Sequence, residues 1–189
     1  FFKNDEECTE IVLVCSEVDF NYIYSRYNET VNVIIVGGSS RQESVYKGLN
    51  KATCEYVLIH DSARPFLNRE SISALVDNLL ETKATTLAVF VKDTIVKING
   101  NRLGKTLERK ELLLIQTPQG FLKDLLLEAH EKARNTGYIG TDDTSLIAKF
   151  TNVTPAFVMG DYRSIKLTTK DDIEILKVIL WLELDIVLI

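Results

Sequence analysis

The sequence predicts an α/β protein, with a mostly parallel β-sheet covered by helices on both faces and a β-hairpin arm projecting from it. Three observations carry this. Short apolar runs alternate with helical stripes along the chain, the pattern of successive βαβ units. The run Tyr56-Val57-Leu58-Ile59 is apolar without interruption and halts at His60-Asp61-Ser62-Ala63-Arg64-Pro65, as a strand buried on both faces does at the rim of a sheet. One segment, Asp93 to Leu103, breaks the alternation with an Asn-Gly pair between two extended stretches.

Strands are predicted at Glu10–Cys15, Val31–Val36, Glu55–His60, Thr85–Val91, Leu112–Gln116 and Pro155–Met159. Gly37-Gly38 follows the second of these and leads into a helix. Ile72, Leu75, Val76, Leu79 and Leu80 repeat with helical spacing, and Asn68 or Ser71 is placed to cap that helix. A second stripe, Leu122, Leu125, Leu126, Ala129 and Ala133, ends at Gly137, suited to a left-handed cap. A helix through Leu146 and Ile147 has Thr141 or Asp142 at its start. The last helix opens on Thr169-Lys170-Asp171-Asp172, close to a capping box. The hairpin cannot join a parallel sheet by a simple crossover, so an arm at about residues 92–110 is expected to pair with something else. The chain, 1–189, reads as one domain.

With 46% hydrophobic and 26% charged residues, the composition is that of a water-soluble globular protein. The net charge of −5 argues against broad nucleic-acid or membrane binding, yet leaves room for Lys and Arg gathered in one anion cleft. Cys8, Cys15 and Cys54 are odd in number and lack metal-ligand spacing, which points to a reducing, cytoplasmic location without a disulfide framework. No apolar run approaches the roughly 20 residues that cross a bilayer. The short apolar tail Trp181–Ile189 is expected to pack on the core or on a partner. Because the chain opens on Phe1, its true start is expected upstream.

Five polar junctions fall at predicted strand ends or helix starts: Gly37 to Ser44, His60 to Arg64, Gln116 to Gln119, Gly140 to Thr144, and Ser164 to Thr169. In an α/β sheet, ligands sit beyond the carboxyl ends of the strands. Glycines after a strand allow close backbone approach, and a helix start offers free N–H groups to an anion or polar ring. Each junction also has a plain alternative, with Asp142 a helix cap, Thr117 a turn residue and Lys166 a solvated side chain, but five are more than turns require. Gly37-Gly38 is neither a dinucleotide fingerprint nor a P-loop. The two histidines, His60 and His130, do not suggest zinc, because His130 sits beside Glu128 and Glu131 on the expected solvated side of its helix. No serine occupies a nucleophile elbow, and no Asp-x-Asp motif ends a strand as a sugar transferase would want.

These junctions, in this order, resemble the 2-C-methyl-D-erythritol 4-phosphate cytidylyltransferases of non-mevalonate isoprenoid biosynthesis, from about Ile11 to Leu176. The resemblance rests on Gly37-Gly38 with Arg41 and Ser44, His60-Asp61-Ser62-Ala63-Arg64-Pro65, Lys92-Asp93-Thr94, Thr117-Pro118-Gln119, Thr141-Asp142-Asp143 and Ile165-Lys166-Leu167-Thr168. It implies a Rossmann-like nucleotidyltransferase sheet and transfer of CMP from CTP to a sugar-alcohol phosphate, with release of pyrophosphate and Mg2+ as cofactor. Gly38, Ser39, Ser44, Ser62 and Ala63 would contact the nucleotide. Asp61, Thr94, Thr141 and Lys166 would surround the polyol phosphate, with Arg64 and Thr117 beside them. Arg109 matches an arginine that the family's arm carries to the neighbouring subunit, so Arg109 and Lys166 would be the catalytic cations and the arm would make a homodimer. Ribitol 5-phosphate is the alternative acceptor, and a non-catalytic nucleotide-binding module the alternative role. Family members open with a strand and a Gly-rich loop bearing an arginine and a lysine; this sequence starts after that unit of roughly 30 residues. The sheet is therefore expected to show an unpaired position at its centre.

Overall fold

The computed structural model describes residues 1–183. Along the chain run β1 (Val12–Cys15), α1 (Phe20–Tyr27), β2 (Val33–Val36), α2 (Arg41–Leu49), β3 (Tyr56–Ile59), α3 (Arg69–Thr82) and β4 (Ala84–Phe90). There follow β5 (Val96–Asn99), β6 (Arg102–Thr106), β7 (Leu113–Leu122), α4 (Lys123–Thr136), α5 (Asp143–Phe150), β8 (Ala156–Met159) and α6 (Lys170–Glu183). The packing expected of the tail side chains 181–189 lies outside the described part of the chain.

The principal sheet has the order β3-β7-β4-β8. β4 and β8 are parallel, while β7 is antiparallel to both of its neighbours, so β3, β4 and β8 share one direction and β7 opposes them. β7 also outruns the expected Leu112–Gln116. Thr86 pairs with Gln119 but Ala88 pairs with Ile115, so β7 carries extra residues around Gln116–Pro118. A bulge tolerates a proline that has no N–H to give the ladder, which is why Pro118 does not end the strand. Leu122, assigned by periodicity to the following helix, is instead the last residue of this strand.

β1 and β2 form a separate parallel pair, so β1 and β3 each have one strand neighbour among the described residues. Their amino ends are tied by the Glu10 carboxylate, which accepts from the Thr53 N–H at 2.8 Å and the Thr53 hydroxyl at 3.1 Å.

β4 is buried from Ala84 through Val89 because helices cover it on both sides. Ile72 and Leu75 of α3 pack with Leu87 on one face; Leu126 and Ala129 of α4 and Leu146 and Ile147 of α5 gather with Ala84 and Phe121 on the other. Each fully buried leucine contributes about 2 kcal/mol of transfer free energy. Leu80, expected in the core, is 57% exposed, since α3 meets the sheet only along Ile72, Leu75 and Leu79.

The ends of these helices follow local chemistry. Asn68, not Ser71, caps α3 by accepting from the Ser71 N–H, and Gly137 closes α4 with φ 65°. α3 ends on Lys83, also at φ 65°, with no glycine to announce it. Thr169 and Asp172 cap α6 reciprocally: Asp172 Oδ2 accepts from the Thr169 N–H at 2.7 Å and the Thr169 hydroxyl accepts from the Asp172 N–H at 3.4 Å. The N–H groups of Thr168 and Thr169 hold the Asp172 carboxyl down at about 2.

The hairpin is β5–β6. Its turn is Gly100-Asn101, one residue beyond the Asn99-Gly100 pair expected, because Asn99 is paired with Arg102 in the ladder. Gly100 has φ 58° and Asn101 does not have positive φ, the pattern of a type II′ turn.

Candidate active site

Because β3, β4 and β8 point the same way, the segments after them emerge at one rim of the sheet. His60-Asp61 follows β3, Lys92-Asp93-Thr94 follows β4, and Gly160 to Lys166 follows β8. The β7 bulge adds Gln116 and Thr117. Hydrogen bonds then order this rim. The Asp61 N–H donates to Thr117 Oγ1 at 3.1 Å, and the Arg64 carbonyl lies 3.1 Å from His60 Nε2, so that nitrogen must be the donor. His60 Nδ1 is thereby an acceptor for the Thr117 hydroxyl at 3.1 Å. Burial, with Phe2 edge-on at 5.8 Å, lowers the His60 pKa and keeps the ring suited to this neutral role.

Asp61 is the hub of the rim. Its Oδ2 accepts from Lys166 Nζ at 2.7 Å and its Oδ1 from Arg41 Nε at 3.1 Å. Burial pushes the Asp61 carboxyl up, but Lys166 and Arg41 outweigh it and the pKa falls below the usual range. Arg41 Nη1 also donates to Asp143 Oδ2 at 2.8 Å. Burial opposes the Arg41 charge, yet Asp143 and Asp61 together raise its pKa. The Lys166 side chain is 41% exposed and that of Arg41 is 35% exposed, so both cations reach solvent from a fixed base. The backbone reinforces the arrangement, with the Leu167 N–H donating to the Ala63 carbonyl at 2.9 Å.

The glycine loop lies against α2. A Cβ on Gly37 would come within 2.6 Å of Ser44 Oγ, and one on Gly38 would collide with Glu43, so both positions need glycine. The N–H groups expected to be free here are in use. Gly38 N–H donates to Ser44 Oγ at 3.0 Å and Ser39 N–H to Glu43 Oε2 at 2.8 Å, while Ser40 caps α2 by accepting from the Glu43 N–H. Across from this loop, Asp142 caps α5 in a capping box with Ser145. Burial raises the Asp142 carboxyl, but hydrogen bonds from Thr144, Gln119 and Ser145 win and lower it. Gln119 spans the neighbouring acids, with Nε2 to Asp142 Oδ2 at 2.8 Å and Oε1 accepting the Asp143 N–H at 3.2 Å. Ser40, Arg41, Gly140 and Thr141 line a small cleft of about 80 Å³ here.

This is a mouth able to hold anions: two cations fixed by one carboxylate, beside a glycine-lined loop at a sheet rim. Residues 1–181 match the family model described as IspD, 2-C-methyl-D-erythritol 4-phosphate cytidylyltransferase. The chain belongs to this family. It is 42% identical over 184 residues to the 2-C-methyl-D-erythritol 4-phosphate cytidylyltransferase of Bacillus licheniformis, covering 95% of this chain and 79% of that protein. The corresponding enzyme of Geobacillus kaustophilus is 44% identical over 177 residues, 91% of this chain and 77% of that protein. Among solved structures, the 4-diphosphocytidyl-2C-methyl-D-erythritol synthase of Anaerococcus prevotii superposes with a TM-score of 0.86 at 31% identity, covering 94% of this chain and 81% of that one.

Within this cytidylyltransferase frame the predicted site residues fall into two groups. Thr94, Thr141 and Ser62 are exposed and their hydroxyls have no hydrogen bond among the described residues, so they are free for a ligand. Thr117, Ser39 and Ser44 are spent on holding the rim and the loop. Arg64 is also turned inward, with Nη1 on the Ser164 carbonyl at 2.6 Å and Nη2 on that of Ile115 at 3.4 Å. Arg109 sits in a 3-10 turn at the base of the arm and donates to the carbonyl of Lys92, in the segment that follows β4, at 2.6 Å.

His130 corrects an expectation. It is buried, not solvated, and its Nε2 donates to Asp143 Oδ1 at 3.1 Å. Its spacing held the signal: Leu126, Ala129, His130 and Ala133 form one helical stripe, and all four are buried. Arg41, Asp143 and Gln119 likewise received no role from the sequence, since each acts through a partner remote along the chain. Among the described residues no group of three His, Cys, Asp or Glu side chains could enclose a metal ion.

Proposed function

We propose that this chain transfers CMP from CTP to 2-C-methyl-D-erythritol 4-phosphate, forming CDP-methylerythritol and pyrophosphate. The observation that carries it is the convergence of Lys166 and Arg41 on Asp61 at the strand rim. A phosphate oxygen of the polyol phosphate attacks the α-phosphorus of CTP. The new P–O bond forms as the bond from that phosphorus to the bridging β-phosphate oxygen breaks, and pyrophosphate leaves with the electron pair. Two polyanions must be held in line against their repulsion, which is work for cations positioned beforehand. Lys166 serves as a point charge for the attacking phosphate, Asp61 fixes it from behind, and the free hydroxyls of Thr94 and Thr141 meet polyol hydroxyls. Gly38, Ser39, Ser44, Ser62 and Ala63 form the wall for the cytidine. Arg64 and Thr117 support the polyol side from beneath.

The residues here do not build a protein cage for Mg2+, because both Asp61 oxygens already face cations. We infer that Mg2+ arrives with CTP, held mainly by its phosphate oxygens, where it offsets their charge. The arm supports a homodimer: Ile98 is 84% and Leu103 81% exposed on a two-stranded ribbon that pairs with no other strand among the described residues. In such a dimer Arg109 would act at the partner's mouth. No helix among the described residues is long and apolar enough to cross a membrane, and the three unpaired thiols favour a cytoplasmic setting.

The test is pyrophosphate release by the full-length protein with each polyol phosphate. Methylerythritol phosphate is expected to exceed ribitol 5-phosphate in kcat/KM by about 100-fold, the order of discrimination a pocket reaches against an acceptor that brings an extra hydroxyl. An equal or reversed preference overturns the assignment.

A further inference from the structure

Behind the mouth, a line of charged and polar groups runs from the core to Lys166 without sharing an oxygen. His130 Nε2 donates to Asp143 Oδ1 at 3.1 Å, and Asp143 Oδ2 accepts from Arg41 Nη1 at 2.8 Å. Arg41 Nε donates to Asp61 Oδ1 at 3.1 Å, and Asp61 Oδ2 accepts from Lys166 Nζ at 2.7 Å. The residues come from α4, α5, α2 and the segments after β3 and β8, so no local sequence holds the line together. His130 and Asp143 are each 1% exposed or less, whereas Lys166 reaches solvent.

We propose that His130 is a positioning residue for the polyol-phosphate site, acting through Asp143, Arg41 and Asp61 on Lys166. This rests on the reading of the mouth given above. The physical reason is the division of each carboxylate. Asp143 can present only one oxygen to Arg41 because His130 occupies the other; Nδ1 of that ring meets no polar partner, so its Nε2–H is what the ring contributes. Without this donor the Asp143 carboxylate is free to turn both oxygens onto the planar guanidinium, the geometry arginine favours. Arg41 Nε is then drawn from Asp61. Asp61 in turn closes both oxygens around Lys166, which leaves less of that charge for a phosphate. The effect falls on the acceptor substrate because Lys166 is the end of the line.

The experiment uses the full-length protein with His130→Leu and His130→Gln, the second restoring an N–H donor near the Nε2 position. His130→Leu is expected to raise KM for the polyol phosphate roughly tenfold while KM for CTP changes by no more than about twofold, and His130→Gln to recover most of the loss. Equal rises in both KM values, or no rise, overturn the proposal. An independent readout is the Arg41 Nε–H resonance by 15N NMR, which His130→Leu should displace and His130→Gln should largely restore. If the wild type releases no pyrophosphate with either polyol, the functional reading fails by itself, and the line is judged on that resonance, where an unmoved signal overturns it. Should His130→Leu not fold, Asp143→Asn removes the charge holding Arg41 while keeping the side-chain volume. The same displacement is then required, and its absence counts against the proposal.

Discussion

The rim and the arm of this molecule are built on opposite terms. At the rim, Asp61, Arg41, Asp143 and Lys166 satisfy one another at 2.7–3.1 Å across separations of up to 105 residues. In the arm, β5 and β6 pair with each other across a two-residue turn and turn Ile98 and Leu103 out to solvent. A structure made of distant convergence is rigid and easily lost by one substitution. One made of local pairing tolerates change in the monomer, and its exposed residues gain meaning only against a second surface.

The largest expected effect breaks the rim at its exposed end. Lys166→Ala should cut kcat/KM by roughly 100- to 1,000-fold, the usual loss for a preorganised group at a developing charge. Its pair with Asp61 is partly exposed, so the accompanying loss of stability should stay at or below about 1 kcal/mol; a variant that keeps wild-type rates removes Lys166 from the mechanism. Arg41→Ala attacks the interior end. It leaves Asp143 buried with His130 as its remaining side-chain partner, so chemical denaturation should show a loss of about 3 kcal/mol. A loss below about 1 kcal/mol would mean that Asp143 finds another partner or is reached by water.

Acid should separate the two regions next. Asp61 and Asp142 titrate below the ordinary 3.8 in the fold, so their stabilisation is complete above that value and is lost as pH falls through the folded pKa values. His60 adds an earlier decline. Its folded pKa lies below 6.5, mainly through burial, so the unfolded chain gains a proton from about that pH downward while the fold resists it. Denaturant midpoints measured across this range should slope accordingly, and His60→Asn should flatten the upper part. An unchanged upper slope in that variant would assign it elsewhere.

Smaller still, Asp142→Ala removes the α5 cap and an acceptor for Gln119, for an expected loss of about 1–2 kcal/mol. Smallest for the monomer is the arm. Ile98→Lys with Leu103→Glu, an opposite-charge pair at facing positions of the ribbon, should change folding stability by less than about 0.5 kcal/mol, as at open surface sites. Sedimentation should nevertheless show loss of the proposed dimer, and an unaltered oligomeric state would count against the arm as its interface. Arg109 sharpens the comparison. Arg109→Ala should reduce activity at least as much as Arg109→Lys, since a lysine keeps the charge but not the two-pronged grip on phosphate.

How legible each region was follows from the same contrast. The arm could be placed from Asn99-Gly100 alone, and even the one-residue shift of its turn left both strands in position. The helix ends at Asn68, Gly137 and Thr169 were readable because capping involves residues within a few positions of one another. β7 runs past its expected end at Gln116, because a proline in a bulge and a proline after a strand look alike until the partner strand's register is known.

What the sequence by itself determined was the alternation of elements and the positions of the polar tips, because hydrophobic periodicity and capping are local properties of the chain. Only the tertiary structure decided which tips stayed exposed and unpaired and which became scaffold. Thr117 and Ser44 turned inward, Thr94 and Thr141 stayed free, and a histidine on an apolar stripe became the buried end of a line leading to Lys166. Those outcomes depend on which groups meet across the sheet, and electrostatic pairing acts over distances in space that spacing along a chain does not encode.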